Sequence, residues 1–249
     1  MCRELTVDED DNDFPERYGI VFNANEPFWL VPFLGGFGGR MMDDAHRPTL
    51  DTGAMRNALT FLADLRNRYK VLPRESSYEL SDTMFKKGQA AFIINGPWSL
   101  KAYLKAGMEI GVMALPPMTA TGKRPAPMVS GKGYSISVNV EEEKLPVVKE
   151  LLAFLTSEAV QREIVTELLI LPSLKSLLED EALAADPILA GSLEQARYGR
   201  PMPVVPEMRA VWDAVRPFYQ SVLGGRLDPA EAAAGMQEQA EKKIAEMKR

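Results

Sequence analysis

Lys86-Lys87-Gly88-Gln89-Ala90-Ala91-Phe92-Ile93-Ile94-Asn95-Gly96-Pro97-Trp98 constrains the fold more than any other stretch of this sequence. The lysines mark a helix end, and Gly88 is the residue type that stops a helix in the left-handed conformation. Ala90 to Ile94 is an apolar run long enough only for a strand. Asn95-Gly96 then turns the chain, and Pro97 suits the first position of a new helix. Trp98 is thereby delivered to the carboxyl end of a strand, where open α/β sheets place their ligand crevices.

The remaining elements follow from periodicity. Tyr18 to Phe22 reads as a short strand, Asn23 to Pro27 as a capping turn, and Phe28 to Leu34 as the start of a helix that ends in a glycine run. Asp51 is the expected N-cap of a helix in which Met55, Ala58, Leu59, Leu62, Leu65 and Tyr69 recur at helical spacing until Pro73. A short helix carries Leu80, Met84 and Phe85, and Ile110 to Leu115 reads as a further strand. Pro116 to Pro127 is a connector, Met128 to Gly133 a chain crossing, and Tyr134 to Val140 alternates as a strand. Helices are expected over 141–155, 157–169, 187–198, 206–223 and from Asp228-Pro229 to the carboxyl terminus. Strands alternating with helices define an α/β or α+β chain. The first 17 residues form an acidic leader, with Asp8 to Asp13 expected to be a solvated linker or fraying terminus.

Composition narrows the chemistry. With 249 residues the chain can bury a sizeable core, as one large domain or two small ones. The net charge of −6 argues against nucleic acid, whose recognition needs a basic surface. No apolar run reaches the ~18 residues of a membrane span. A single cysteine, Cys2, excludes an internal disulfide framework, and with the single histidine, His46, it argues against a zinc site. His46 sits in the polar loop Asp43 to Pro48 and reads as a solvated side chain rather than a triad member. Neither a metal nor a cofactor is expected. Met1-Cys2-Arg3-Glu4 has no basic-then-apolar signal region, so the sequence reads as a mature chain or a cut-down piece.

Four stations, in order, resemble the extracellular solute-binding proteins of ABC importers, in particular the maltose-binding-protein type. They are Asn25-Glu26-Pro27-Phe28-Trp29, Asn95-Gly96-Pro97-Trp98, Ser157-Glu158-Ala159-Val160-Gln161, and the run from Pro203 through Met208 to Trp212 and Arg216. The resemblance runs from about Tyr18 to Ala245. It implies a type II periplasmic-binding-protein-like lobe, a carbohydrate ligand, ABC transporter membrane subunits as partners, and a periplasmic or membrane-anchored extracellular location. It also implies no enzymatic activity. The third station is structural in this family, whereas the others bring residues to the sugar.

Those residues suit the ligand. A pyranose has an apolar C–H face and a polar rim, so it is met by flat rings and by amide or charged groups. The resemblance assigns the rings to Phe28, Trp29, Trp98 and Trp212, and the polar contacts to Glu26, Asn95 and Arg216, with Met202 filling an irregular gap. Trp212 and Arg216 are four apart and share a helical face. Other readings stay open at this point. Trp212 at helical spacing with Met208, Val215 and Tyr219 also fits a core position, and Glu26 also fits a helix N-terminal cap. Either Phe28 or Trp29 can be the inward ring. Pro217, directly after Arg216, is expected to kink the helix and re-aim that arginine.

Members of this family have two α/β lobes, and the resemblance places residues 18–128 and 186–249 in the carboxyl-terminal lobe. Residues 133–185 form an excursion into the amino-terminal lobe, which this sequence otherwise lacks. The excursion's apolar residues then need another partner, and self-association through 133–185 is one expectation. Half of a two-lobed site also implies weak sugar binding, or none, by this chain alone. The rival readings are a binding protein for a polyamine or glycerol phosphate, a self-associating fragment without a ligand, and a glycoside hydrolase using Glu26 with Glu207 or Asp213. The rings and the single arginine favour a neutral sugar over the charged ligands, and the spacing of those carboxylates does not resemble an acid/base pair.

Overall fold

A computed structural model describes residues 1–10, 12 and 14–247. In chain order the elements are β1 (Tyr18–Val21), a 3-10 turn (Pro27–Leu30), α1 (Val31–Gly36), α2 (Gly53–Ala63), a π-helical turn (Asp64–Arg68), α3 (Tyr78–Lys86) and β2 (Ala90–Ile93). There follow a 3-10 turn (Pro97–Ser99), α4 (Leu100–Lys105), β3 (Met128–Val129), a 3-10 turn (Glu142–Lys144), α5 (Leu145–Leu155) and α6 (Glu158–Leu168). The last are α7 (Lys175–Leu178), α8 (Glu181–Ala184), α9 (Pro187–Arg197), β4 (Arg200–Pro201), α10 (Glu207–Leu223) and α11 (Pro229–Met247). They divide into two units. One comprises Met1–Asn95, Leu115–Met128 and Tyr198–Arg249, and the other Gly96–Ala114 and Val129–Arg197. The division cuts the signature segment between Asn95 and Gly96.

The first unit is built on the parallel pair β1 and β2, in register Tyr18↔Ala90, Ile20↔Phe92 and Val21↔Ile93. Gly88 stands at φ 72° where α3 ends, as the helix-stop reading requires, and β2 begins two residues later. Leu59 and Leu62 of α2, Val211, Val215 and Tyr219 of α10, and Met236 of α11 form one core with α1. Ala232, Ala233, Gly235 and Ala240 keep α11 slim. A Cβ on Gly235 would stand 2.3 Å from the Phe218 ring of α10, so glycine here permits the close helix packing.

The start of α2 departs from expectation. The cap is Thr52, whose hydroxyl accepts from the Met55 amide at 3.2 Å, while Asp51 pairs with Arg56 at 2.5 Å. Both are good capping types in adjacent positions, and the backbone turn selects one. The apolar stripe also ends sooner, because Asp64 to Arg68 widen into a π turn with no buried residue and Tyr69 is exposed.

The acidic leader is tied to the first unit rather than free. Val7 bridges to Arg17, and the Gly19 amide donates to the Thr6 hydroxyl at 3.0 Å. Arg74 lies over the Phe14 ring at 5.2 Å. Asp11 and Asp13 of the expected solvated run lie outside the described residues.

α10 runs through Pro217 without a break. Proline removes the N–H that would bond the Asp213 carbonyl. Pro217→Ala is therefore expected to stabilise the first unit by about 1–2 kcal/mol, since the interior proline's cost of about 3 kcal/mol is partly offset by the stiffness it lends the unfolded chain. A rise of several degrees in the thermal midpoint is the expected reading.

The second unit has a small core of Val165, Leu169, Ile188 and Leu189, against which Ile110, Val112 and Leu183 pack. Ser157 caps α6 through the Val160 amide at 3.4 Å. Gln161 accepts from the Ser173 and Leu174 amides at 2.9 and 3.2 Å, which explains why a serine and a glutamine at this spacing matter structurally.

Two expected strands of this region do not form. Ile110 to Leu115 adopts no regular secondary structure and joins no ladder. It lies against α9 instead, where a Cβ on Gly191 would stand 2.1 Å from the Val112 carbonyl oxygen. Tyr134 to Val140 is likewise irregular, and Val138 is 98% exposed. An alternating pattern makes a strand only where a neighbour accepts its backbone hydrogen bonds, and no strand of the second unit's described residues provides one.

Candidate ligand-binding site

The turn after β1 and the middle of α10 converge in the first unit. Pro27 opens the 3-10 turn, and its fixed φ directs Phe28 and Trp29 to different environments. Trp29 is buried in the core, and Phe28 is half-buried at its edge. Their rings meet edge to face with centroids 5.6 Å apart. This resolves the choice between the two: Trp29 is the inward ring and Phe28 the outer one. On α10, Trp212 is also only partly buried, packs on the same core, and approaches Phe28 with a centroid separation of 6.4 Å.

One turn after Trp212, the Arg216 guanidinium donates to the Glu26 carboxylate in a charge-assisted ion pair. Glu26 does occupy the N-cap position of the 3-10 turn, but its side chain makes no capping hydrogen bond. Its carboxylate is spent on the arginine instead. Both side chains are about two-fifths exposed, so the pair lies at the surface beside the Phe28 and Trp212 rings. Beneath it Tyr219 is wholly buried, and burial pushes its hydroxyl well above the ordinary tyrosine range, so it stays neutral.

Five expected site residues (Glu26, Phe28, Trp29, Trp212 and Arg216) are thus brought together. Asn95 is half-buried just past the end of β2, and Met202 is half-buried just past β4. Trp98 belongs to the second unit, where it is 50% exposed and its ring folds over Gly96; a Cβ there would stand 2.1 Å from the ring. Sequence reasoning missed Gln220, whose amide donates to the Asn25 carbonyl at 3.0 Å. The signal was available, because 212, 216 and 220 are successive positions of one helical stripe. Among the described residues, one acidic group has metal-ligand spacing. The carboxylates of Asp8, Asp10 and Glu16 lie within 4.8 Å of one another, but Glu16 accepts the Glu9 amide at 2.8 Å and Asp10 the Asn12 side-chain amide at 2.8 Å, as loop acids do.

The Phe28 and Trp212 rings thus stand beside the Glu26–Arg216 ion pair on an α/β scaffold. The chain belongs to the bacterial extracellular solute-binding protein family, whose sequence profile matches residues 8–191. It has the type II periplasmic-binding fold. It is 37% identical to the maltose/maltodextrin-binding domain MalE from Bdellovibrio bacteriovorus bound to maltotriose, with a TM-score of 0.88 over 98% of this chain and 64% of that one. A cyclo/maltodextrin-binding protein complexed with maltotetraose is 26% identical, with a TM-score of 0.83 over 100% of this chain and 64% of that chain. Among curated relatives, the galactooligosaccharide-binding protein of Bacillus subtilis (strain 168) is 27% identical over 87% of this chain and 53% of its own length. The maltotriose-binding protein of Pyrococcus abyssi (strain GE5 / Orsay) is 28% identical over 84% of this chain and 46% of its own. The chain therefore spans about half the length of these curated relatives.

Proposed function

We propose that this chain is part of the substrate-binding component of an ABC-type carbohydrate importer and takes an oligosaccharide by aromatic stacking. The observation that carries this is the Glu26–Arg216 ion pair set beside the partly buried rings of Phe28 and Trp212. Phe28 and Trp212 offer flat faces to the C–H side of a sugar ring. The second oxygen of Glu26 and the other nitrogens of Arg216 offer an acceptor and donors to adjacent hydroxyls. Trp29 backs Phe28 from the core, Asn95 and Met202 supply further contacts, and Trp98 offers a third stacking ring on its own unit. Relatives named for galactooligosaccharide and maltotriose support an oligosaccharide over a polyamine or glycerol phosphate. Hydrolysis is disfavoured because Glu26, the carboxylate it would use, is committed to an arginine. The partners are transporter membrane subunits and the location is outside the cytoplasmic membrane; no helix among the described residues is long and apolar enough to cross one.

The test is a tryptophan-fluorescence titration with maltotriose to tens of millimolar. A saturable change in the millimolar range is expected, because the chain spans about half the length of its curated relatives and so offers part of their contacts, and each ~1.4 kcal/mol lost weakens binding tenfold. A flat response from the folded protein sinks the reading.

We read residues 18–128 and 186–249 as carboxyl-terminal-lobe material and 133–185 as an excursion of the amino-terminal lobe. One observation favours a second use for that excursion. Val147, Leu151 and Phe154 form a stripe on α5 that is 67%, 53% and 63% exposed, and α5 buries no residue. Sedimentation at micromolar concentration is expected to show a dimer or larger species that Phe154→Glu returns to monomer. A monomeric unsubstituted chain rules out association through this face.

A further inference from the structure

Gln220 lies two turns beyond Trp212 and one beyond Arg216 on α10. Each of these three residues holds a different point of one short turn. Trp212 meets the Phe28 ring, Arg216 takes the Glu26 carboxylate, and the Gln220 side-chain amide donates to the Asn25 carbonyl at 3.0 Å. The turn's own bonds are local and few. The Glu26 amide reaches the Asn23 carbonyl at 3.3 Å, the Trp29 amide reaches the Glu26 carbonyl at 3.1 Å, and the Glu26 side chain adds no cap. Asn25 is exposed and leads directly into the two residues that meet the ligand. Gln220 is its tie to the helix.

We propose that Gln220 is a positioning residue. It fastens the Asn25–Phe28 turn to α10, so that Glu26 and Phe28 stand in register with Trp212 before a ligand arrives. This rests on the oligosaccharide-binding reading above. Gln220 touches no ligand; its contribution is that binding need not order the turn, a cost otherwise drawn from affinity. Arg216 does not do this alone, because it holds the end of the Glu26 side chain and not the backbone of the turn. The Gln220 bond instead grips the backbone itself.

The test uses the whole chain with Gln220→Ala and Gln220→Lys, the second keeping an N–H donor at that position. Two quantities are read: hydrogen exchange of the amides between Asn25 and Leu30 without ligand, and maltotriose affinity. Gln220→Ala is expected to speed exchange in this segment alone and to weaken maltotriose binding ~3- to 10-fold, the usual net weight of one hydrogen bond. The thermal midpoint falls by no more than a few degrees, because the side chain is exposed and only one hydrogen bond is lost, and Gln220→Lys restores both readouts. Unchanged exchange in Gln220→Ala overturns the proposal, and so does faster exchange with unchanged affinity. If the unsubstituted chain binds no maltotriose while Gln220→Ala still speeds exchange, the sugar reading fails and the role assigned to Gln220 fails with it. The exchange readout separates that case from a turn that Gln220 never held.

Discussion

Trp212→Ala is expected to weaken maltotriose binding to the edge of detection. A tryptophan side chain presents ~150–250 Å² of surface. In the free protein Trp212 is partly buried against the core, so only the smaller part of that area, about 50–80 Å², is available to a sugar. At about 25 cal/mol per Å² this face contributes about 1–2 kcal/mol, or ~5- to 30-fold in affinity. A millimolar site weakened by that factor is pushed to the edge of a practical titration. Trp29 and Trp98 remain in the variant as fluorescent reporters, so a silent titration reports lost binding rather than a lost probe. Trp212→Phe keeps a ring at the position and is expected to retain measurable binding. Undiminished affinity in Trp212→Ala would place the sugar elsewhere.

The largest stability effect is expected at Leu59. This residue is completely buried in the middle of α2, in the same core as α10 and α11. Leu59→Ala removes three methyl-equivalent groups where three helices meet, and the surrounding helices can close only part of the space. The expected loss is about 2–5 kcal/mol, a large part of the ~5–15 kcal/mol that holds a domain folded. Urea denaturation is expected to show a lower midpoint with an unchanged slope. Leu151→Ala makes the same chemical change on the exposed stripe of α5 and is expected to shift stability by no more than about 0.5 kcal/mol. Equal losses at the two positions would mean that α5 is covered in solution.

The consequences of the two variants separate the two tasks of α10 and its neighbours. One face of α10 (Val211, Val215, Tyr219) is core, and the adjacent stripe (Trp212, Arg216, Gln220) faces the turn that follows β1. That division is what would let Trp212 be replaced without unfolding the unit. It also explains why Trp212 reads both as core and as ligand contact in the sequence. It stands at the border between the two faces, partly buried against the core.

Much of this was legible in the sequence. Gly88, Pro97, Ser157 and the Asp228-Pro229 step announce helix ends through local chemistry, and the aliphatic spacing over Met55 to Leu62 announces the buried side of α2. The four stations that led to the family depend on turn and cap residues whose preferences operate over a few positions. The order of those stations, together with the rings they carry, was enough to indicate the extracellular solute-binding protein family before any packing was known.

Tertiary structure decided what depends on partners distant in sequence. Whether Tyr134–Val140 becomes a strand depends on a neighbour to accept its hydrogen bonds, and its alternation carries no information about that neighbour. The burial of Trp29 rather than Phe28 depends on where α2 and α10 pack against the 3-10 turn. Glu26 sits at a helix start, where its own neighbourhood recommends a cap, yet an arginine 190 residues away claims its carboxylate. Local propensity is set by the nearest few residues, so the sequence alone determined the elements and their ends. Burial and pairing are set by surfaces that meet only after the chain has folded, so only the structure decided which of these side chains are buried and which pair with one another.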